Sequence, residues 1–198
     1  MNIYPDRPRL SRQECRNRQK LLEGVKREIV GRLGKSIYKG VPLNPDKESQ
    51  PEQVNQPWSG EVKVNYQSTI PLPTGTKNIE VFDRPEVAGR LLILGKPGAG
   101  KTTTLLQLAE VLVTRAENDE TKPIPALFNL SSWKSEDLTI VNWLVEQLNS
   151  KYGVDIDVGH KLVEKRQLVP LLDCLDELEL EPQKRCVEAI NHLLAGEQ

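Results

Sequence analysis

The chain is poor in sulfur and histidine: 198 residues hold three cysteines and two histidines. Cys15, Cys174 and Cys186 lie far apart, in neither CxxC nor metal-ligand spacing, and His160 and His192 add no cluster. Zinc-site and disulfide-framework readings therefore fail, and a reducing, cytoplasmic setting is expected. Long apolar runs are missing too. The N-terminal MNIYPDRPRL has no apolar core of signal-peptide length, and no later stretch approaches the ~20 apolar residues that span a bilayer. Neither secretion nor a membrane span is expected. Internal repeats and low-complexity tracts are likewise absent. A net charge of -1 predicts no partner by itself.

Hydrophobic content of 37% beside 28% charged residues suits a soluble globular chain with irregular segments, and excludes collagen-like and wholly disordered classes. The length suits one medium domain with an appendage. Three regions follow from the pattern. Residues 1–38 read as a basic N-terminal helical arm: Leu21, Val25, Ile29 and Leu33 form a stripe that predicts a helix over 10–33, surrounded by Arg12, Arg16, Arg18, Lys20, Lys26, Arg27 and Arg32. Gly24, Gly31 and Gly34 weaken its later turns. Residues 39–80 read as a Pro-rich linker, with Pro42, Pro45, Pro51, Pro57, Pro71 and Pro73. Inside it, residues 61–66 alternate as a short half-buried strand does.

Residues 81–198 read as the core domain. Short apolar runs followed by helical stretches predict an α/β domain with a mostly parallel sheet covered by helices. Strands are expected at 91–94, 124–130 and 168–172. Helices are expected at 101–115, where Leu105, Leu108 and Leu112 form the buried stripe, at 138–150 and at 183–195.

Between the first such strand and its helix lies Gly95-Lys96-Pro97-Gly98-Ala99-Gly100-Lys101-Thr102. This meets the phosphate-loop pattern G-x-x-x-x-G-K-[ST], the Walker A motif. Gly98 and Gly100 lack a Cβ, so the backbone can take positive φ and turn its amides around an anion. The loop then opens into a helix N-terminus, whose unpaired N–H groups and dipole favour phosphate. Lys101 would reach the β and γ phosphates, Thr102 would ligate Mg²⁺, and Thr103 would make secondary phosphate contacts. Average residue frequencies put a chance occurrence at roughly one percent for a chain of this length.

The run Val169-Pro170-Leu171-Leu172 ends in Asp173-Cys174-Leu175-Asp176-Glu177, which looks like a Walker B motif. A carboxylate at the carboxyl end of a parallel strand faces the crevice where open α/β sheets hold ligands. Asp173 is the candidate Mg²⁺ residue, acting through water. Asp176 and Glu177 follow on the next turn as catalytic candidates, one of which would orient a hydrolytic water. The alternative is a solvated acidic loop capping the last helix.

Together, LLILGKPGAGKTTTLLQLA at 91–109, PIPALFNLSSW at 123–133 and LVPLLDCLDELE at 168–179 resemble the NACHT group of STAND-class P-loop NTPases, of bacterial and cyanobacterial type. Cys174 stands where that group usually has glycine, a small-for-small change. The lead-in PLPTGTKNIEVFDRP at 71–85 is similar to the segment before the phosphate loop in that group. It makes Val81 and Phe82 candidates for a base contact, with core packing the favoured reading of Phe82.

The resemblance implies a three-layer α/β/α fold and a switch governed by ADP and ATP, coupled to signalling or assembly. It also implies a further strand, between the phosphate-loop strand and the Walker B strand, that follows the last helix. The core is thus expected to be incomplete at its C-terminus. Protein partners, or self-association, would act through regions beyond it. ATP is favoured over GTP, because no NKxD base-reading motif occurs. Two rivals stand beside the NTPase: a module that binds nucleotide without turnover, and a nucleic-acid or membrane adaptor acting through the basic arm. For that arm, a solvated helix face docked on the core or on a partner domain is the plainer reading. Trp58, Trp133 and Trp143 read as packing anchors.

Overall fold

Ser11 and Glu14 open the first helix with a reciprocal capping box. The Glu14 N–H donates to Ser11 Oγ at 3.2 Å, and the Ser11 N–H donates to Glu14 Oε2 at 2.8 Å. The computed structural model describes residues 10–40, 61–62, 70–73, 75–134 and 138–196. Helix α1 runs Arg12–Gly40, past Gly31 and Gly34, where the sequence suggested weakening. Burial outweighs propensity here. Leu21, Leu22, Val25 and Ile29 lie in the same core as the central strand, whereas each glycine costs the helix only about 1 kcal/mol relative to alanine. Gly24 has a positive use, because a Cβ there would lie 3.1 Å from Tyr152 Cδ1.

Strands β1 (Glu61–Val62) and β2 (Ile70–Pro71) pair antiparallel. The rest of the alternating run, 63–66, lies outside the described residues, as does Trp58. Helix α2 (Asn78–Phe82) follows, with Val81 and Phe82 buried. Both side chains pack in apolar clusters, in keeping with the packing reading of Phe82. The bidentate pair from Arg115 to Asp83, at 2.7 and 2.6 Å, ties the end of α2 to the next helix.

That helix, α3 (Lys101–Asn118), buries Thr104, Leu106, Leu108, Ala109, Leu112, Val113 and Ala116, a broader face than the expected stripe. Strand β3 (Ile124–Asn129) follows, then α4 (Ile140–Tyr152), α5 (Ile156–Glu164), β4 (Leu168–Asp173) and α6 (Leu180–Ala195). Helix α6 begins earlier than expected because Pro182 sits in its first turn, where a missing N–H costs no helical bond.

β3 and β4 form a parallel pair, from Ile124 opposite Leu168 to Asn129 opposite Asp173. Their crossover carries α4 and α5. Helices α1, α3 and α4 pack on β3, whose first five residues are buried. Phe128 meets Trp143 at 5.8 Å between ring centroids, and Trp133 is buried as well, so both tryptophans act as anchors. This is a mixed helix and strand architecture with a two-stranded parallel sheet, compatible with the α/β class.

The expected strand at 91–94 does not form. The run carries no ladder bonds, and Leu92 and Leu94 are 65% and 80% exposed. A strand needs a neighbouring backbone to satisfy its N–H and C=O groups. Among the described residues neither this run nor the outer edge of β4 has one.

Candidate functional site

The glycine loop takes the backbone form its residues permit. Gly98 and Gly100 sit at φ 78° and 81°, in the left-handed region, and Gly100 is the residue from which α3 starts. The Thr104 N–H donates to the Gly100 carbonyl at 2.8 Å and begins the helical ladder. Gly95, Lys96, Pro97 and Gly98 are exposed, and Ala99, Lys101, Thr102 and Thr103 are half-buried. The Ala99 N–H turns back to the Lys96 carbonyl at 3.0 Å. Lys101 Nζ donates to the carbonyls of Gly95 at 2.9 Å and Lys96 at 3.2 Å, bracing the loop from inside.

The acidic motif meets this loop from the end of β4. Asp173 is the last strand residue and is buried at 8% exposure. Its Oδ1 accepts from Thr102 Oγ at 3.0 Å and from the Cys174 N–H at 3.1 Å. Lys101 Nζ pairs with Asp176 Oδ2 at 3.0 Å. The Lys101 hydrogen bond holds the exposed Asp176 carboxyl below the usual carboxylate range. Residues 71 positions apart thus converge where the carboxyl end of the sheet faces the N-terminus of α3. Glu177 closes the 3₁₀ turn Leu175–Glu177 and is exposed.

Cys174 has φ 66°, a left-handed value. The glycine expected from the resemblance is therefore explained by conformation rather than by size alone. Burial, then the Asp173 charge and a hydrogen bond to Glu177, push its thiol up to about 12.

One residue near the site was not foreseen as part of it. Arg32 on α1 forms an ion pair with Asp173 Oδ2 through Nη2, and its Nη1 lies 3.8 Å from Glu28 Oε1. Glu28 in turn accepts from Lys151 at 2.9 Å and from the Tyr152 hydroxyl at 2.5 Å. The i,i+4 spacing of Glu28 and Arg32 was visible in the sequence; nothing in it indicated the partner 141 residues away.

The donor set fits Mg²⁺ bound together with a polyphosphate. Mg²⁺ keeps several waters and takes one or two protein oxygens beside phosphate oxygens, and Thr102 and Asp173 supply such a pair. Among the described residues no cluster of three or more His, Cys, Asp or Glu forms an all-protein cage. A separate cleft of about 870 Å³ opens at the far end of α3, lined by Phe82, Arg115, Asn118, Pro123 and Val169 among others, away from the loop and the acidic motif. No helix among the described residues is long and apolar enough to cross a membrane. Compared with family models, curated proteins and solved structures, the chain matches none.

Proposed function

We propose that the chain binds a nucleoside triphosphate, ATP in preference to GTP, together with Mg²⁺, as the P-loop NTPase switch domain of a cytoplasmic NACHT-type regulator. The observation that carries this reading is the 3.0 Å contact between Thr102 Oγ and Asp173 Oδ1, at the mouth of a loop with two left-handed glycines. A strand-end carboxylate beside a helix-opening hydroxyl, under a lysine, is the arrangement a Mg²⁺-polyphosphate needs. Held by Thr102 and Asp173, the cation would supply charge neutralisation at the β and γ phosphates. The protein's part is to hold them: loop amides and the α3 N-terminus face the phosphates. To reach them Lys101 would leave Asp176, whose side chain is 53% exposed, and exchange its bonds to the Gly95 and Lys96 carbonyls for phosphate oxygens. Asp176 is then free, with Glu177, to orient a water against the terminal phosphate.

On this reading the outer edge of β4, which has no strand neighbour among the described residues, is open to pairing with a further strand. The test is equilibrium binding of a fluorescent ATP analogue, with and without Mg²⁺ and in competition with ATP and GTP. Saturable binding that Lys101→Ala abolishes supports the proposal, and no binding by the wild-type chain refutes it. Multiple-turnover phosphate release separates an NTPase from a module that binds without turnover.

A further inference from the structure

We propose that Arg32 is a tethered cation that holds the Asp173 carboxylate in the resting chain, so that Mg²⁺ must displace it and α1 gates cation loading. The inference rests on the nucleotide-site reading above and names the regulation of that site. Both oxygens of Asp173 are already engaged: Oδ1 by Thr102 and the Cys174 amide, Oδ2 by Arg32. The carboxylate is buried, so its single negative charge is balanced by one guanidinium at contact. A divalent cation and that guanidinium repel each other strongly when both sit on one carboxylate.

Arg32 is not a loose surface charge. It is delivered by a helix whose Leu21, Leu22, Val25 and Ile29 lie in the core. Nearer the start of α1, Arg18 Nη2 donates to the Ala116, Asp119 and Lys122 carbonyls at 2.7, 3.3 and 2.8 Å, clamping the helix to the end of α3. A second resting place for the guanidinium also exists. Glu28 is one helical turn back, with Oε1 3.8 Å from Nη1, and Lys151 and Tyr152 hold it in place. Arg32 thus has two acceptors, one inside the cation site and one outside it. By linkage, whatever pulls α1 away favours the cation, and the cation favours release of the α1 end.

The experiment uses the full chain and two variants, Arg32→Gln and Arg32→Met, the latter keeping the aliphatic stem, each first checked for folding by circular dichroism. Mn²⁺ is titrated without nucleotide and free Mn²⁺ is read by electron paramagnetic resonance. The variants are expected to bind at least about fivefold more tightly than the wild type, within the usual range of coupling between sites, and Asp173→Asn is expected to lose the binding. In the unmutated chain, Mn²⁺ is expected to quicken amide hydrogen exchange at residues 30–34. Equal or weaker Mn²⁺ binding by the variants, no binding by any chain, or unchanged exchange in the wild type overturns the proposal. Failure of the wild type to bind the ATP analogue refutes the nucleotide reading instead, and the Mn²⁺ comparison does not depend on it.

Discussion

Removing one oxygen, by Tyr152→Phe, tests how α1 is fastened to the rest of the molecule. The Tyr152 hydroxyl donates to Glu28 Oε2 at 2.5 Å and accepts from the Leu127 N–H at 3.3 Å, so it bridges α1 and β3 from the last turn of α4. The ring stays against Gly24 in the variant, so the loss is confined to the hydroxyl. A hydrogen bond to a charged group contributes about 1.5–3 kcal/mol. Because Lys151 still holds the other Glu28 oxygen at 2.9 Å, the lower part of that range is expected, about 2 kcal/mol at pH 7. The phenol adds a pH signature. Burial, then the hydrogen bond to Glu28 and its charge, raise it well above its ordinary value of 10.0. The folded chain keeps this proton when the unfolded chain releases it. The stabilisation is therefore complete below about pH 10 and falls as pH rises toward the folded value, by at most about 1.4 kcal/mol per pH unit. Urea unfolding of both chains at pH 7 and from pH 9 to 11 measures this. The gap between them should be about 2 kcal/mol at pH 7 and shrink above pH 10. A gap under about 0.5 kcal/mol at pH 7, or one that widens with alkali, refutes the reasoning.

Two glycine substitutions should act with opposite signs in urea unfolding. Gly98→Ala is expected to destabilise by about 1 kcal/mol from backbone strain alone, since φ is 78° and nothing lies within 4 Å of an added Cβ. Gly31→Ala has open space and a helical backbone in α1, and should stabilise by up to about 1 kcal/mol. Gly159→Ala places a Cβ 3.0 Å from Val145 Cγ1; overpacking between α5 and α4 should exceed the helix-propensity gain and lower the unfolding midpoint. Native-state alkylation at pH 8, read by peptide mass, should leave Cys174 and Cys186 unmodified, because burial leads in raising their thiols to about 12 and about 11. Rapid labelling of either in the folded chain contradicts that placement.

What was legible in the sequence is what local chemistry determines. The left-handed backbone at Gly98 and Gly100 follows from the spacing of residues without Cβ, and β3 and the apolar part of β4 follow from short apolar runs. Features that need a distant partner were not legible. Residues 91–94 have the composition of a strand, yet a ladder is a property of two segments, and Leu92 and Leu94 face solvent. Helix α5 was missed although its signals are local: Asp155 caps it, and Val158, Leu162 and Val163 fall on one helical face turned to the core. Arg32 stood out only as one charge on a basic helix. Its role comes from folding against a residue 141 positions on.

The charges of the candidate site are paired with one another: Lys101 with Asp176, and Arg32 with Asp173. The two pairs differ in cost of opening. Asp176 is more than half exposed, so solvent screens the first pair and takes up the freed carboxylate readily. Asp173 is nearly buried, and removing Arg32 without a replacement would strand an unpaired carboxylate, which is strongly unfavourable. Under the proposed function, phosphate alone would draw Lys101 away from Asp176, whereas freeing Arg32 would take an arriving cation or a pull on α1. Burial then suggests an order: Lys101 would meet polyphosphate first, and Arg32 would yield Asp173 to the cation afterwards. A chain carrying Asp173→Asn loses the charge that holds Arg32, so its α1 end should stay released whatever the ligand, and slow exchange at residues 30–34 in that variant would break this ordering.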